Sequence, residues 1–248
     1  MLTFKYIKNQ SFYMIKSNKL RYNYIVLMIG ACLLASCGNM ESKTEKSTQV
    51  TSGDSAQITS TAKKDQVKHI LFFGTSLTAG LGVNPEQAFP ALIQKKIDSL
   101  HLPYKVINAG LSGETSAAGK SRINWILKQP VDIFVLELGS NDGLRGIPVT
   151  ETTANLQAII DRVKEKYPKA RLLLTGMQMP PSMGEKYTKP FAAMFPALAK
   201  KNNMDLLPFL LKDVGGITRL NQKDGIHPNP EGHQIVAANV WSKLQPEL

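Results

Sequence analysis

Cysteine is almost missing from this chain of 248 residues, which has only Cys32 and Cys37. A chain trimmed just before Cys37 would carry no spare thiol for a disulfide, a cysteine nucleophile or a thiolate metal site. A fold of this size needs no disulfide, because it can bury an ample apolar core. Long hydrophobic runs are missing too. Ile25 to Leu34 is an apolar run of ten, whereas a helix needs about twenty such residues to cross a bilayer core. Histidine is scarce, at four. His69, His101 and His233 show no ligand spacing, so no metal site follows, and they read as structural or surface residues. Acidic side chains are absent before the apolar run, where Lys5, Lys8, Lys16, Lys19 and Arg21 stand alone.

A basic start, a short apolar core and a small-residue site together make a secretory signal peptide. The site reads LASC, Leu34 to Cys37, and resembles the bacterial lipoprotein box. That resemblance implies removal of residues 1–36 and lipidation of Cys37, hence an exported protein anchored in the cell envelope. An ordinary signal peptide with a chance cysteine, or an uncleaved anchor, is the alternative. The basic region is long enough that translation starting at Met14 rather than Met1 also fits. From Gly38 to Gln66 the chain is rich in Ser, Thr, Lys and Gln and has no aromatic residue. Such a segment cannot bury enough apolar surface to fold. With its flanks, 37–68 reads as a tether whose r.m.s. reach is about 30 Å.

Five of the 30 basic residues belong to the signal, which leaves 25 against 19 acidic ones. A surplus of six suits an anionic membrane surface. It is not the dense basic stripe of a nucleic-acid binder, and no nucleic-acid partner is expected.

From His69 onward short apolar runs alternate with amphipathic stretches. HILFFG (69–74), YKVINAG (104–110), VDIFVLELG (131–139) and RLLLTGM (171–177) read as buried strands, and MDLLPF (204–209) as a weaker fifth. Phe89, Leu92, Ile93, Ile97 and Leu100 share one helical face, as do Leu156, Ile159, Ile160, Val163 and Tyr167. A last helix follows Pro230. The pattern predicts one α/β domain over 69–248, with a parallel sheet covered on both faces. Functional groups of such folds gather beyond the carboxyl ends of the strands.

Four segments lie there. GTSLTAG places Ser76 two residues past the first strand, where a helix N-cap is the plain alternative. NAGLSGETS places Gly113 in a tight turn. GSND carries Asn141, and DGIHPN carries Asp224 and His227. Together they offer a hydroxyl nucleophile, an imidazole base, a carboxylate to orient it and donors for an oxyanion.

These blocks, in this order, resemble those of the SGNH (GDSL-type) hydrolases. LELGSNDGLRG and LPFLLKDV…DGIHPN are similar to the thioesterase I, lysophospholipase and arylesterase branch. The resemblance implies a three-layer α/β/α sandwich around a mostly parallel five-stranded sheet, and a serine esterase or thioesterase. It implies Ser76 as nucleophile, His227 as base and Asp224 as its partner. The implied oxyanion hole is the Ser76 and Gly113 amides with the Asn141 side chain. No cofactor is needed. One departure is Thr75, where the family usually has Asp.

GETSAAGKS, Gly113 to Ser121, mimics a phosphate-binding loop, but five residues separate the glycine from Gly-Lys where four are required. With Gly113 placed as an oxyanion donor and Gly-Lys-Ser opening a helix, no nucleotide is expected. Met177, Met179 and Met183, in GMQMPPSMG, suit an adaptable acyl groove; core packing is the alternative. Two other functions stay open: a carbohydrate O-acetylesterase of the same fold, and a non-catalytic lipoprotein that binds lipid or glycan.

Overall fold

The computed structural model describes residues 66–248. The segment read as a signal sequence, Cys37 and nearly all of the segment read as a tether lie outside the described residues. Five strands form the centre: β1 (Lys68–Gly74), β2 (Tyr104–Gly110), β3 (Ile133–Glu137), β4 (Arg171–Thr175) and β5 (Asp205–Leu207). Every pairing is parallel, in the order β2-β1-β3-β4-β5. The chain steps outward from β1 to β2, then crosses back to β3 on the other side of β1. The switch point therefore lies between β1 and β3, where ligands bind in open sheets of this order. Register matters here: Gly74 pairs with both Gly110 and Glu137, so three strands end level and their following loops emerge at one edge.

Among the described residues seven α-helices connect and cover the sheet: α1 (Ser76–Ala79), α2 (Phe89–Ser99), α3 (Ser116–Ile126), α4 (Ser140–Leu144), α5 (Val149–Lys166), α6 (Glu185–Asn202) and α7 (Pro230–Leu244). α2 packs on α7, while α3 packs on α5 and α5 on α6, so helices cover both faces. Phe72, Phe73, Phe134, Phe89, Phe191 and Phe195 are completely buried between the layers. Each stabilises the fold by roughly 1.5–3 kcal/mol relative to an exposed side chain. Where β2 ends, a Cβ on Gly110 would stand 2.3 Å from the Ala79 backbone nitrogen. Only glycine lets that strand end approach α1 so closely. No helix among the described residues is long and apolar enough to cross a membrane.

Most elements fall where periodicity puts them, and the differences have physical causes. α6 has no counterpart in the sequence reading because Pro190 and Pro196 lie inside it and argue locally against a helix. Burial of Phe191, Met194, Phe195 and Leu198 along one face outweighs the lost amide donors. Gly119-Lys120-Ser121 does not open a helix: α3 starts at Ser116, capped by the Thr115 hydroxyl. Gly119 instead lets α3 approach Leu138, which a Cβ would meet at 2.6 Å.

His233, on α7, is almost fully buried. Its Nδ1 accepts a 3.3 Å hydrogen bond from the Phe89 amide, and its ring stacks on Phe89. Burial, with the His227 charge adding to it, pulls its pKa down from 6.5 to about 4. An unfolded chain therefore binds a proton between those values that the native state refuses, and this group's contribution is lost as pH falls from 6.5 towards 4. In His233→Asn the amide oxygen can replace Nδ1 as acceptor without titrating. The Tm advantage of the wild type over this variant should shrink between pH 7 and pH 5; a constant difference would remove the claim.

Candidate active site

Ser76 is the first residue of α1, immediately beyond β1. It is not the helix cap: Thr75 takes that role, its hydroxyl accepting from the Leu77 amide at 3.4 Å. This corrects the N-cap reading and leaves the Ser76 hydroxyl free to engage elsewhere. It lies 2.8 Å from His227 Nε2. On the far side of the ring, His227 Nδ1 lies 2.7 Å from Asp224 Oδ2. An ionised carboxylate only accepts, so Nδ1 carries the proton and Nε2 is left basic towards the serine.

His227 is held by a tightly closed loop. Asn221 bridges antiparallel to Pro228, the Gln222 amide donates to the His227 carbonyl at 2.7 Å, and the Gly225 amide to the Gln222 carbonyl at 2.9 Å. Asp224 Oδ1 accepts from the Ile226 and His227 amides at 3.0 and 3.1 Å. The His227 ring contact, followed by these amides, pulls the Asp224 pKa down from 3.8 to about 2. Asn229 then caps α7, accepting from the Gly232 amide at 3.0 Å. Gln222 Nε2 donates both to the Leu81 carbonyl just past α1 and to the Pro228 carbonyl, fastening the serine's turn to the histidine's loop.

Gly113 and Asn141 reach the same edge. Gly113 has φ +79°, and a Cβ there would meet only the Arg145 guanidinium, at an ordinary 4.0 Å, so its need for glycine is conformational. Asn141 is the second residue of α4, and its side-chain nitrogen donates to the Glu114 carbonyl at 3.1 Å. One amide hydrogen is thereby spent on orientation, and the other remains. Neither the Ser76 nor the Gly113 amide donates to another group among the described residues. Glu114, the residue that breaks the phosphate-loop spacing, is a buried anchor. It takes an ion pair from Arg122, whose guanidinium also donates to the Ala109 carbonyl at 2.7 Å and lies over the Phe73 ring. Asp142 similarly ties α4 to α3 by accepting from the Ser116 amide and hydroxyl at 2.8 and 2.5 Å.

A cavity of about 420 Å³ opens beside Ser76, Asn141 and His227, with Leu144, Met177, Met179, Phe209, Leu211 and Ile226 in its wall. Both alternatives for the methionines therefore apply to Met177 and Met179, which belong to the core at 5% and 8% exposure and also face the cavity. Met183 packs half-buried against the core and is not part of the wall. No group of three or more His, Cys, Asp or Glu among the described residues is arranged to hold a metal ion.

Sequence reasoning missed Glu137, the last residue of β3, which is buried directly beneath the serine's turn. Its carboxylate accepts from the Thr75 amide at 2.8 Å, the Thr75 hydroxyl at 3.0 Å to each oxygen, the Thr78 amide at 3.3 Å and the Thr78 hydroxyl at 2.8 Å. The available signal was an acidic residue inside VLELG, an otherwise apolar strand.

A parallel sheet with a serine, imidazole and carboxylate in line at its carboxyl edge defines a serine hydrolase architecture. Residues 72–235 match the GDSL-like Lipase/Acylhydrolase family. The chain is 37% identical to Esterase TesA of Pseudomonas aeruginosa over 180 residues, 72% of this chain and 89% of that protein. It is 38% identical to Thioesterase 1/protease 1/lysophospholipase L1 of Escherichia coli K12 over 178 residues, 71% and 83% of the two chains. Among solved structures, the psychrotrophic esterase EstA of a Pseudoalteromonas species, inhibited by monoethylphosphonate, superposes with a TM-score of 0.68. That match has 31% identity and covers 73% of this chain and 98% of that one. The chain belongs to the GDSL-like lipase/acylhydrolase family, and it is an ester-hydrolysing enzyme.

Proposed function

We propose that the enzyme cleaves carboxylic esters or thioesters of extended acyl groups through an acyl-enzyme on Ser76. The observation that carries this is the unbroken relay from the Ser76 hydroxyl through His227 to Asp224, opening on an apolar cavity. His227 Nε2 takes the hydroxyl proton as the Ser76 oxygen bonds to the acyl carbon. Asp224 holds the ring tautomer and stabilises the imidazolium. The carbonyl electron pair moves onto oxygen, where the Ser76 and Gly113 amides and the Asn141 side chain are the donors. The carbon–leaving-group bond then breaks, and the alcohol or thiol departs with the proton from His227. Water, deprotonated by His227, attacks the acyl-enzyme, and the acid leaves as Ser76 regains its proton.

The cavity wall supports acyl chains longer than acetyl. Burial of each CH2 contributes about 0.8 kcal/mol, up to about fourfold in kcat/KM per carbon. Across p-nitrophenyl esters from acetate to palmitate, kcat/KM should climb until the cavity is full and then level off. A maximum at acetate would favour the O-acetylesterase instead. Shaving the wall with Met177→Ala and Met179→Ala should cost long-chain esters more than acetate; an equal loss on both would count against the groove. LASC at Leu34–Cys37 supports export and a lipid anchor at Cys37, which would hold this site beside a membrane and its lipid esters. Metabolic labelling with a palmitate analogue, absent in Cys37→Ala, tests the anchor.

A further inference from the structure

We propose that Glu137 is a positioning residue of this esterase: from β3 its carboxylate locks the turn that presents Ser76, with Thr75 as its matched donor. The proposal rests on Ser76 being the nucleophile.

Four donors converge on this one carboxylate, and they come from residues on either side of Ser76, none from Ser76 itself. The turn is clamped at Thr75 and Thr78, while the hydroxyl and amide of Ser76 are left to the reaction. Glycine at position 74 makes this contact possible. A Cβ there would stand 2.6 Å from Glu137 Oε2 and 2.2 Å from the Thr78 hydroxyl. An apolar residue at 137 would strand two amides and two hydroxyls without an acceptor in a dry site, at about 1–3 kcal/mol for each stranded group.

Thr75 acquires a meaning from this contact. It is fully buried, and its hydroxyl approaches both Glu137 oxygens at 3.0 Å. An aspartate at 75 would set a second carboxylate against the first, and two such groups out of water cannot both ionise. The Thr75 hydroxyl supplies a donor to Glu137 without adding a second acid, so this turn is held with no proton shared between two carboxyl groups.

All four donors reach Oε2, and among the described residues Oε1 is approached only by the Thr75 hydroxyl, so a proton taken up at Oε1 leaves the four contacts on Oε2 in place. Every polar contact to Glu137 comes from Thr75 and Thr78; on the other side of Ser76 the titratable group is His227. Burial raises the Glu137 pKa from 4.5 to about 7, and the threonine hydrogen bonds oppose the rise.

The test uses the full-length chain, with the rate of fluorophosphonate labelling at Ser76 and steady-state kcat and KM on a soluble ester as readouts. Glu137→Leu, which strands the four donors, should slow labelling and kcat by roughly 10- to 100-fold and leave KM within about twofold, and Glu137→Gln, which keeps an oxygen to accept at the Oε2 position, should recover most of the loss. Thr75→Val, which keeps Glu137 and so guards against a folding failure in the first variant, should lower kcat severalfold at unchanged KM. Labelling and kcat unchanged in Glu137→Leu, or kcat unchanged in Thr75→Val, would overturn the proposal. A wild type left unlabelled would overturn the esterase reading first, and this proposal with it.

Discussion

Replacing Ser76 by alanine should lower kcat on any ester by about six orders of magnitude, while Tm stays within a few degrees. The size follows from the role we propose for it: its oxygen forms the bond to the acyl group, and among the described residues no other hydroxyl is hydrogen-bonded to His227 Nε2. The fold should be indifferent, because the turn is held by Thr75, Thr78 and Glu137 and not by the Ser76 hydroxyl. His227→Ala should lose a similar factor, and combining the two should cost little more than either alone, since they act as one unit. Losses that multiply in the double variant would show that serine and histidine act separately. With Asp224 held at about 2, its carboxylate is ionised in any usable buffer. Its contribution to stability is complete above pH 4 and disappears only as pH falls through about 2.

Asn141→Ala should lower kcat by about 10²–10³, the usual cost of deleting one preorganised oxyanion donor. KM should barely change, because the ground-state carbonyl carries little of the charge the donor serves. In the folded enzyme Asn141 makes one side-chain hydrogen bond, to the Glu114 carbonyl, so the variant should fold normally. Rate and KM measured on a single p-nitrophenyl ester decide the matter. A loss confined to KM would make Asn141 a substrate-binding group, and no loss at all would remove it from the site.

The sheet was legible because buried parallel strands are written as continuous apolar runs, and four of the five needed no help from context. The meeting of Ser76, His227 and Asp224 was legible for a related reason: parallel strands deliver their following loops to one edge, so residues scattered over about 150 positions of sequence could be gathered by topology. What stayed hidden depends on three-dimensional closeness with no periodic trace. Pro190 and Pro196 concealed α6, whose existence is decided by the phenylalanines buried beneath it. Thr75 looked like a lost aspartate until Glu137, 62 residues away, appeared at hydrogen-bond distance from it. Glu114 looked like an error in a phosphate loop, and only the approach of Arg122 reveals its purpose. Met183 looked equivalent to Met177 and Met179 in the sequence, but the turn after Pro181 carries it away from the cavity.

Ser76 and His227 are separated by 151 residues, and the loop that carries the histidine is closed by its seat on α7, the last long helix. On the roles proposed for these two residues, the serine is an ordinary alcohol until the chain has been made as far as the histidine. The loop that supplies the imidazole runs into Asn229, the cap of the final helix, and that helix packs against α2. The proposed mechanism thus makes the enzyme latent at birth: a chain lacking this last segment should not attack the acyl groups around it.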